Sequence, residues 1–406
     1  MIIKIAVKNI MRNKRRTILT SLAMILGIAS LLIFTSFISE QMKGFREGII
    51  REGLGHIQIA SNESFFSKGK FDPSAFIIDN SDSIELKIKS NQDVINVIPS
   101  IGFSAMAAGK NKTITLLIKA YPRDKIHFSK DQNETVNGQI SPSFLIHGNN
   151  FSPETDEIII GDLAAKILGI KCGEILTIMS ILPGGALKAS DFTVCGIYKG
   201  SESGKIYAYI PYESRGKLID AESPSSFTVF LSSENQTDNT ILTLKNSYPE
   251  LSVKPWHELA DFYTQVNGMY SAFLKVISAI MILVTVFVVM NTMSMSVFER
   301  IREIGTMRAV GTSRKRIFSM LSIEGFCLGI FGSFVGIVFG FLLSFAINAL
   351  GGIPFSYDGF DYHILISPDF SDAIKAALPV LFVSLLGTLP AAYKGSRLSV
   401  AETLRY

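Results

Sequence analysis

Uncharged apolar runs and short alternating segments divide this chain into two kinds of territory. Thr17–Ser39 and Val276–Phe298 carry no charge at all, and Ile317–Leu350 carries one, Glu324. A shorter run, Ala376–Tyr393, is closed by Lys375 and Lys394. An apolar bilayer core of about 30 Å takes roughly 20 helical residues, so each run predicts a membrane-spanning helix. Between the first two runs the period changes. HIQIA, TITLLIKAY, EIIIG, EILTIMS, FTVCGIY, KIYAYIPY and SSFTVFLS are β-rich and bounded by Gly, Pro, Ser or Asn, which predicts strands. DLAAKIL, Asp162–Leu168, predicts a short helix stopped by Gly169. The polar stretch Asp131–Asn150 reads as a surface loop.

Two segments flank this insert. Leu259, Phe262, Tyr263, Val266, Met269, Tyr270 and Phe273 recur at helical spacing, so Trp256–Lys275 predicts one helix running into the second span. Glu40–Arg51 extends the first span beside it, and the pair would form a stalk.

Composition fits this division. The 406 residues are 48% hydrophobic and only 18% charged, with a mean hydropathy of +0.33. That is too apolar for an ordinary soluble protein and too charged to lie wholly in a membrane. A net charge of +4 gives no support for nucleic-acid binding. A signal peptide is the rival reading of the first run, but the run is too long and no A-x-A-like site follows it.

The placement of the basic residues predicts orientation. Lys4, Lys8, Arg12, Lys14, Arg15 and Arg16 precede the first run, Arg300, Arg302, Arg308, Arg314, Lys315 and Arg316 lie between the second and third, and Lys394, Arg397 and Arg405 follow the fourth. Gly351–Asp372 has four Asp and no Lys or Arg. Excess Lys and Arg mark cytoplasmic loops. The expected order is a cytoplasmic amphipathic helix at 1–16, spans at 17–39, 276–298, 317–350 and 373–393, and an extracytoplasmic α/β domain with stalk helices at 40–275. A cytoplasmic loop at 299–316, an outer loop at 351–372 and a cytoplasmic tail at 394–406 complete it. The fold class is thus a polytopic α-helical membrane protein with a large mixed α/β extracytoplasmic domain.

Enzymatic signatures are missing. Gly200–Ile206, GSESGKI, is one residue short of a phosphate-binding loop and lacks its terminal Ser or Thr. Histidines 56, 127, 147, 257 and 363 form no H-E-x-x-H pair, and no G-x-S-x-G elbow occurs. No catalytic, cofactor or metal residue is assigned. Cys172 and Cys195 fall in a compartment that permits a disulfide, and the sequence leaves their pairing open. Cys327 reads as a packing residue.

The loop between spans two and three is the candidate site. Val297, Ile301, Ile304 and Met307 give one apolar face, with Glu299, Arg302 and Glu303 opposite. Gly305 and Gly311 are costly in a helix, by about 1 kcal/mol each against Ala, and common just past one. The pattern predicts a break at Gly305, a short helix Thr306–Val310, a turn at Gly311 and a Ser313 cap on the next helix. Such a helix buries its apolar side on a partner surface or on the membrane interface. In the third span Gly332, Gly336 and Gly340 recur every four residues, a pattern that lets helices approach closely. Glu324 reads as a structural residue near the cytoplasmic end, reaching headgroups or a basic partner.

Three stretches then carry a resemblance. EREIGTMRAVGTSRKRI, here with an extra Arg-Ile at 300–301, GDLAAKILGIKCGEILTI with FTVCGIY, and the close PAAYKGSRLSVAETLRY resemble the MacB/LolC/LolE/FtsX permease superfamily, nearest the lipoprotein-releasing type. At the close, Val400 replaces the family's usual proline and the final Glu is missing. The resemblance implies the permease subunit of an ATP-driven ABC transporter in the bacterial inner membrane, with both termini cytoplasmic. It implies that Glu299, Arg302, Glu303, Ile304, Gly305, Met307, Arg308, Ala309, Val310 and Gly311 dock on a separate ABC ATPase subunit dimer, with Met307 and Val310 filling its cleft. The permease itself would bind no cofactor, and ATP would act through the ATPase. Other expected partners are the bilayer, a second permease copy or paralogue, and an extracytoplasmic carrier; nucleic acid is not one. Release of lipoproteins or another hydrophobic substrate is the leading function. The alternatives are an FtsX-like scaffold that drives an extracellular partner such as a cell-wall hydrolase, and a MacB-like exporter of drugs or peptides.

Overall fold

The computed structural model describes residues 14–68, 73–110, 112–130, 138–153, 155–200, 206–357 and 360–397. The expected amphipathic helix at 1–16 lies outside them up to residue 13, as do the tail beyond 397, residues 131–137 of the polar loop and residues 201–205 of GSESGKI. In chain order the helices of two or more turns are α1 (Lys14–Ile49), α2 (Ser81–Lys89), α3 (Asp162–Leu168), α4 (Thr237–Ser247), α5 (Asp261–Glu299), α6 (Ile301–Ala309), α7 (Arg314–Ala349) and α8 (Phe370–Arg397). Two compact units result: one holds residues up to Gly44 and from Gln265 onward, the other is Phe45–Thr264.

The first unit is helical. Among the described residues, four helices are long and apolar enough to cross a membrane, and they contain the four apolar runs. Their shared core is aliphatic: Met24, Ile28 and Leu32 from α1 meet Val289 and Met293 from α5, Leu321 and Leu328 from α7, and Val380 and Ala391 from α8. Their outer faces are as apolar as the core. Phe334, Phe345 and Phe382 are 67%, 72% and 62% exposed, an arrangement that water penalises and lipid favours. Between α7 and α8 the sequence-expected outer loop forms a hairpin of β11 (Ile353–Tyr357) and β12 (Phe360–Ile364).

Ten strands organise the second unit: β1 (Ile57–Ala60), β2 (Val94–Ala108), β3 (Thr113–Tyr121), β4 (Leu145–Gly148), β5 (Glu157–Gly161), β6 (Ile175–Ile181), β7 (Leu187–Tyr198), β8 (Tyr207–Pro211), β9 (Ser226–Leu231) and β10 (Ser252–Pro255). Their order is β10-β1-β9-β2-β3-β8-β5-β7-β4, with β6 pairing both β2 and β7. β3–β8 and β5–β7 are parallel and the other pairs antiparallel. The 15-residue β2 joins two halves. Its start pairs β9 through Pro99↔Phe227, and its end pairs β3 from Ile101↔Ala120 onward. Beside the first half, α2 and α4 place Ile84, Ile88, Ile241 and Leu244 on Ile57, Val97 and Phe227. Beside the second, α3 packs Ala164 and Leu168 on Ile118, Ile160 and Phe192.

All seven expected strands are present, and α3 ends at Gly169 with φ +67, a left-handed cap suited to glycine. Two expectations need correction. Trp256–Lys275 is not one helix: Trp256–Leu259 is a single turn, Ala260 breaks it at φ −104, ψ 63, and α5 starts at Asp261. Trp256 is pinned in an aromatic core, its ring 4.8 Å from Tyr263, and that burial sets the break. The polar loop contains β4, because Leu145 and His147 find ladder partners in Tyr198 and Ile197. Strands β2 and β10 and helices α2 and α4 were not visible in the sequence pattern. Within this unit Phe45, on the extension of α1, does lie against Phe262 and Tyr263 of α5, with centroids 5.8 and 5.7 Å apart.

Candidate functional site

The loop between α5 and α7 is built around a helix of its own. α5 ends at Glu299, Arg300 takes a non-helical φ of −108 and ψ of 19, and α6 follows as Ile301–Ala309. The expected break at Gly305 is therefore wrong. Gly305 lies inside α6 on its buried face, and the chain breaks five residues earlier. The cause is the Arg300 side chain, which turns inward and is 4% exposed. Its Nη1 donates to both carboxylate oxygens of Glu324 on α7, at 3.2 and 3.0 Å. Glu324 is 3% exposed, and of the two expected roles the structure gives the structural one, with Arg300 as its basic partner. Sequence reasoning passed over Arg300 as an insertion. The usable signal was two opposite charges, 24 residues apart, on facing ends of consecutive apolar helices.

The end of α6 follows from its turn chemistry. Thr312 N–H donates to Met307 C=O at 2.9 Å and Gly311 N–H to Arg308 C=O at 3.1 Å. With Gly311 at φ +94, this pairing satisfies the last carbonyls of the helix in a Schellman turn. Ser313 then caps α7 by accepting from Arg316 N–H at 3.4 Å, as its position predicts.

The ten predicted docking residues separate into two faces. Ile304 is 1% exposed, packed with Val297, Ile317, Leu321, Ala391 and Ala392, and Gly305 is buried beside it. Met307 is half-buried against the same core, and Arg308 is half-buried. Ile304 and Gly305 are therefore anchors of α6 and present nothing to a partner. Met307, expected to fill a partner's cleft with Val310, has part of its side chain against this core. Glu299, Arg302, Glu303, Ala309, Val310 and Gly311 face outward, and Val310 is 87% exposed at the apex. The charged and apolar groups of the outer face, with exposed Arg314, Lys315 and Arg316 beyond the turn, form a projecting knob.

The three spaced glycines of α7 lie against α1. A Cβ at Gly332 would come 3.0 Å from that of Met24, one at Gly336 2.9 Å from that of Ile28, and one at Gly340 2.9 Å from Leu32 Cδ2. The register advances four residues on each helix at every contact. On another face, Gly325 and Gly329 seat the side chains of Thr388 and Ser384 of α8. Ser36 of α1 donates to buried Asp372 of α8 at 3.2 Å, and Lys375 lies 3.5 Å from the same carboxylate. α7 is thus held to α1 and α8 by small residues, and α6 to all of them by Ile304 and Arg300.

In the second unit the cysteines offer no nucleophile. Cys172 and Cys195 are free thiols, and burial pushes both upward from the ordinary thiol value, with the Glu157 carboxylate adding to the effect at Cys195. Cys327 is free and half-buried.

The MacB-like periplasmic core domain family matches residues 17–246, more than half of the chain, and the FtsX-like permease C-terminal family matches residues 275–400. The chain belongs to the MacB/LolC/FtsX permease superfamily. An uncharacterized ABC transporter permease of Methanocaldococcus jannaschii is 30% identical over 200 residues, 47% of this chain and 50% of that one. The lipoprotein-releasing system transmembrane protein LolC of Haemophilus influenzae is 21% identical over 400 residues, 96% of this permease and 93% of that protein. The macrolide export ATP-binding/permease protein MacB of Shewanella sp. (strain W3-18-1) is 24% identical over 421 residues, 96% and 58% of the two chains. This permease therefore spans half the length of the first of these relatives and 58% of the third. It is an ABC transporter permease of the MacB/LolC/FtsX type, a membrane protein carrying a MacB-like extracytoplasmic domain.

Proposed function

We propose that this permease is the transmembrane subunit of an ABC system that turns ATP hydrolysis by a separate ATPase into movement of its extracytoplasmic domain. The observation that carries this reading is α6, a helix fixed to the bundle on one side and bare on the other, with Val310 87% exposed at its tip. An exposed apolar tip on a helix whose outer face carries Arg302 and Glu303, with Arg314 beyond the turn, suits insertion into a complementary cleft, where charge steers and the apolar contact holds. The positive-inside rule supports four spans with both termini and residues 299–316 in the cytoplasm and residues 40–275 outside. α1 and α5 each contain residues of both units, which suits them to pass a displacement on as rigid elements.

For cargo, the reading is lipoproteins or another hydrophobic substrate taken up at the outer leaflet of a bacterial inner membrane. It is supported by the match to LolC, which runs over nearly the full length of both chains. Export of macrolide-like compounds is the second reading, favoured by the match to MacB over 96% of this chain. In that relative the name joins the ATP-binding and permease functions, and the portion this chain spans would correspond to the permease.

Reconstitution with a co-expressed ABC ATPase tests the docking face. Val310→Asp is expected to abolish co-purification of the ATPase while the permease keeps its elution profile and Tm. Full retention of the ATPase by that variant would refute docking at this tip. Photocrosslinking from Phe45 and Phe262 tests the cargo, with acylated protein supporting lipoprotein release and a small apolar drug supporting export.

A further inference from the structure

We propose that Arg300 and Glu324 form a directional latch that holds the coupling helix α6 at one angle to the membrane bundle. The inference rests on the docking reading above only for its use; the geometry stands alone. Arg300 is the single residue between α5 and α6, and its backbone serves both: its N–H donates to Val297 C=O at 3.2 Å, and its C=O accepts from Ile304 N–H at 2.9 Å. A one-residue break with non-helical φ and ψ is a hinge, and a hinge at the root of a lever absorbs the push it should transmit. The side chain removes that freedom. It crosses to α7 and places Nη1 between the two oxygens of Glu324, so that turning α6 about the break would pull the guanidinium off the carboxylate.

Glu324 is itself rigidly held. The next residue, Gly325, seats Thr388 of α8 so closely that a Cβ there would collide with its hydroxyl. Leu321, one turn earlier, is in the core that also contains Ile304. The latch thus connects the break to the closely packed pair of α7 and α8.

An ion pair is a poor choice for stability alone. Burying two charges costs desolvation that their attraction offsets incompletely, and apolar replacements of similar volume are often neutral or better. What an apolar contact lacks is direction: a methionine packs over a range of angles, whereas an N–H aimed at a carboxylate weakens as it turns away. Neither Ile304 nor Met307 can supply this, because both touch the bundle through non-directional apolar surface. Arg300 and Glu324 are accordingly positioning residues, and neither needs to touch a partner.

Spin labels at Val310→Cys and Phe382→Cys, in a C172A/C195A/C327A background in phospholipid nanodiscs, read the angle of α6 without any ATPase present. The parent is expected to give one narrow distance distribution. R300M/E324L is expected to keep its Tm within a few degrees and to broaden the distribution at least twofold, a separation of angle from stability that a merely structural pair would not show. E324Q, nearly isosteric, provides the same reading if the double variant fails to fold. The swapped pair R300E/E324R is expected to narrow the distribution again. An unchanged width in E324Q, or a double variant that folds and is as narrow as the parent, would overturn the latch. Loss or retention of ATPase co-purification in V310D has no bearing on these widths, so the two ideas fail separately.

Discussion

The Arg300 guanidinium and the Glu324 carboxylate face each other inside the helical bundle, 3.0 Å apart at their closest, each side chain 4% exposed. The end of α5 and the first half of α7 are joined there by an ion pair. It lies at the break between α5 and α6, on the residue that separates the two helices.

The energetic signature of this pair is asymmetry. Glu324→Ala removes the carboxylate that faces a buried guanidinium and is expected to destabilise the bundle by about 3–5 kcal/mol. R300M/E324L removes both charges and is expected to be near neutral. Thermal unfolding of the two variants in the same detergent checks this, and equal losses in both would contradict it.

The outer tip of α6 separates from its inner face on substitution. Val310→Asp alters an 87% exposed side chain and is expected to shift stability by no more than about 0.5 kcal/mol. Met307→Asp places a carboxylate against the apolar core and is expected to cost about 1–3 kcal/mol. Paired Tm measurements distinguish the two positions before any partner is added.

Close packing of α1 on α7 leaves no room at Gly336, where a Cβ would lie 2.9 Å from Ile28 Cβ and 3.2 Å from Ile25 O. Gly336→Leu is expected to cost about 1–3 kcal/mol through overpacking. Ile28→Ala in the same chain is expected to recover part of the loss. Additive losses in the double variant would show that the two helices do not meet here.

In the extracytoplasmic unit, the Leu231 N–H donates to His56 Nδ1 at 3.1 Å. Burial, followed by the nearby Arg46 charge, holds His56 below its ordinary value of 6.5. A depressed histidine binds its proton less readily folded than unfolded, so folding is undisturbed above 6.5. Stability is expected to fall as pH drops below 6.5, where the unfolded chain takes up the proton first. Denaturation midpoints of this unit across that window check the slope. His56→Asn is expected to flatten it.

The strands that could be read directly from the chain are those whose own residues alternate or run apolar between turn formers, as in EIIIG and FTVCGIY. β2 escaped because VINVIPSIGFSAMAA contains Pro99 and Gly102 and alternates poorly, yet it is the longest strand in the sheet. Its status as a strand comes from β9 on one half and β3 and β6 on the other. β4 is legible only through its pairing with β7. In the loop at 299–316, the Gly311 turn and the Ser313 cap were legible because each depends on local chemistry. The break at Arg300 was not, because its cause is a carboxylate on a different helix.

What the amino-acid order determined alone is everything set by local transfer energy and local turn chemistry. It placed four bilayer-length apolar helices, an asymmetry of basic residues, and the Gly311 turn and Ser313 cap of the charged loop. The tertiary structure decided direction: which side of α6 is anchored by Ile304 and Gly305, which is bare at Val310, and that Arg300 turns inward to Glu324. Apolar runs and caps depend on neighbours a few residues away, whereas a buried charge is tolerable only where a distant partner meets it.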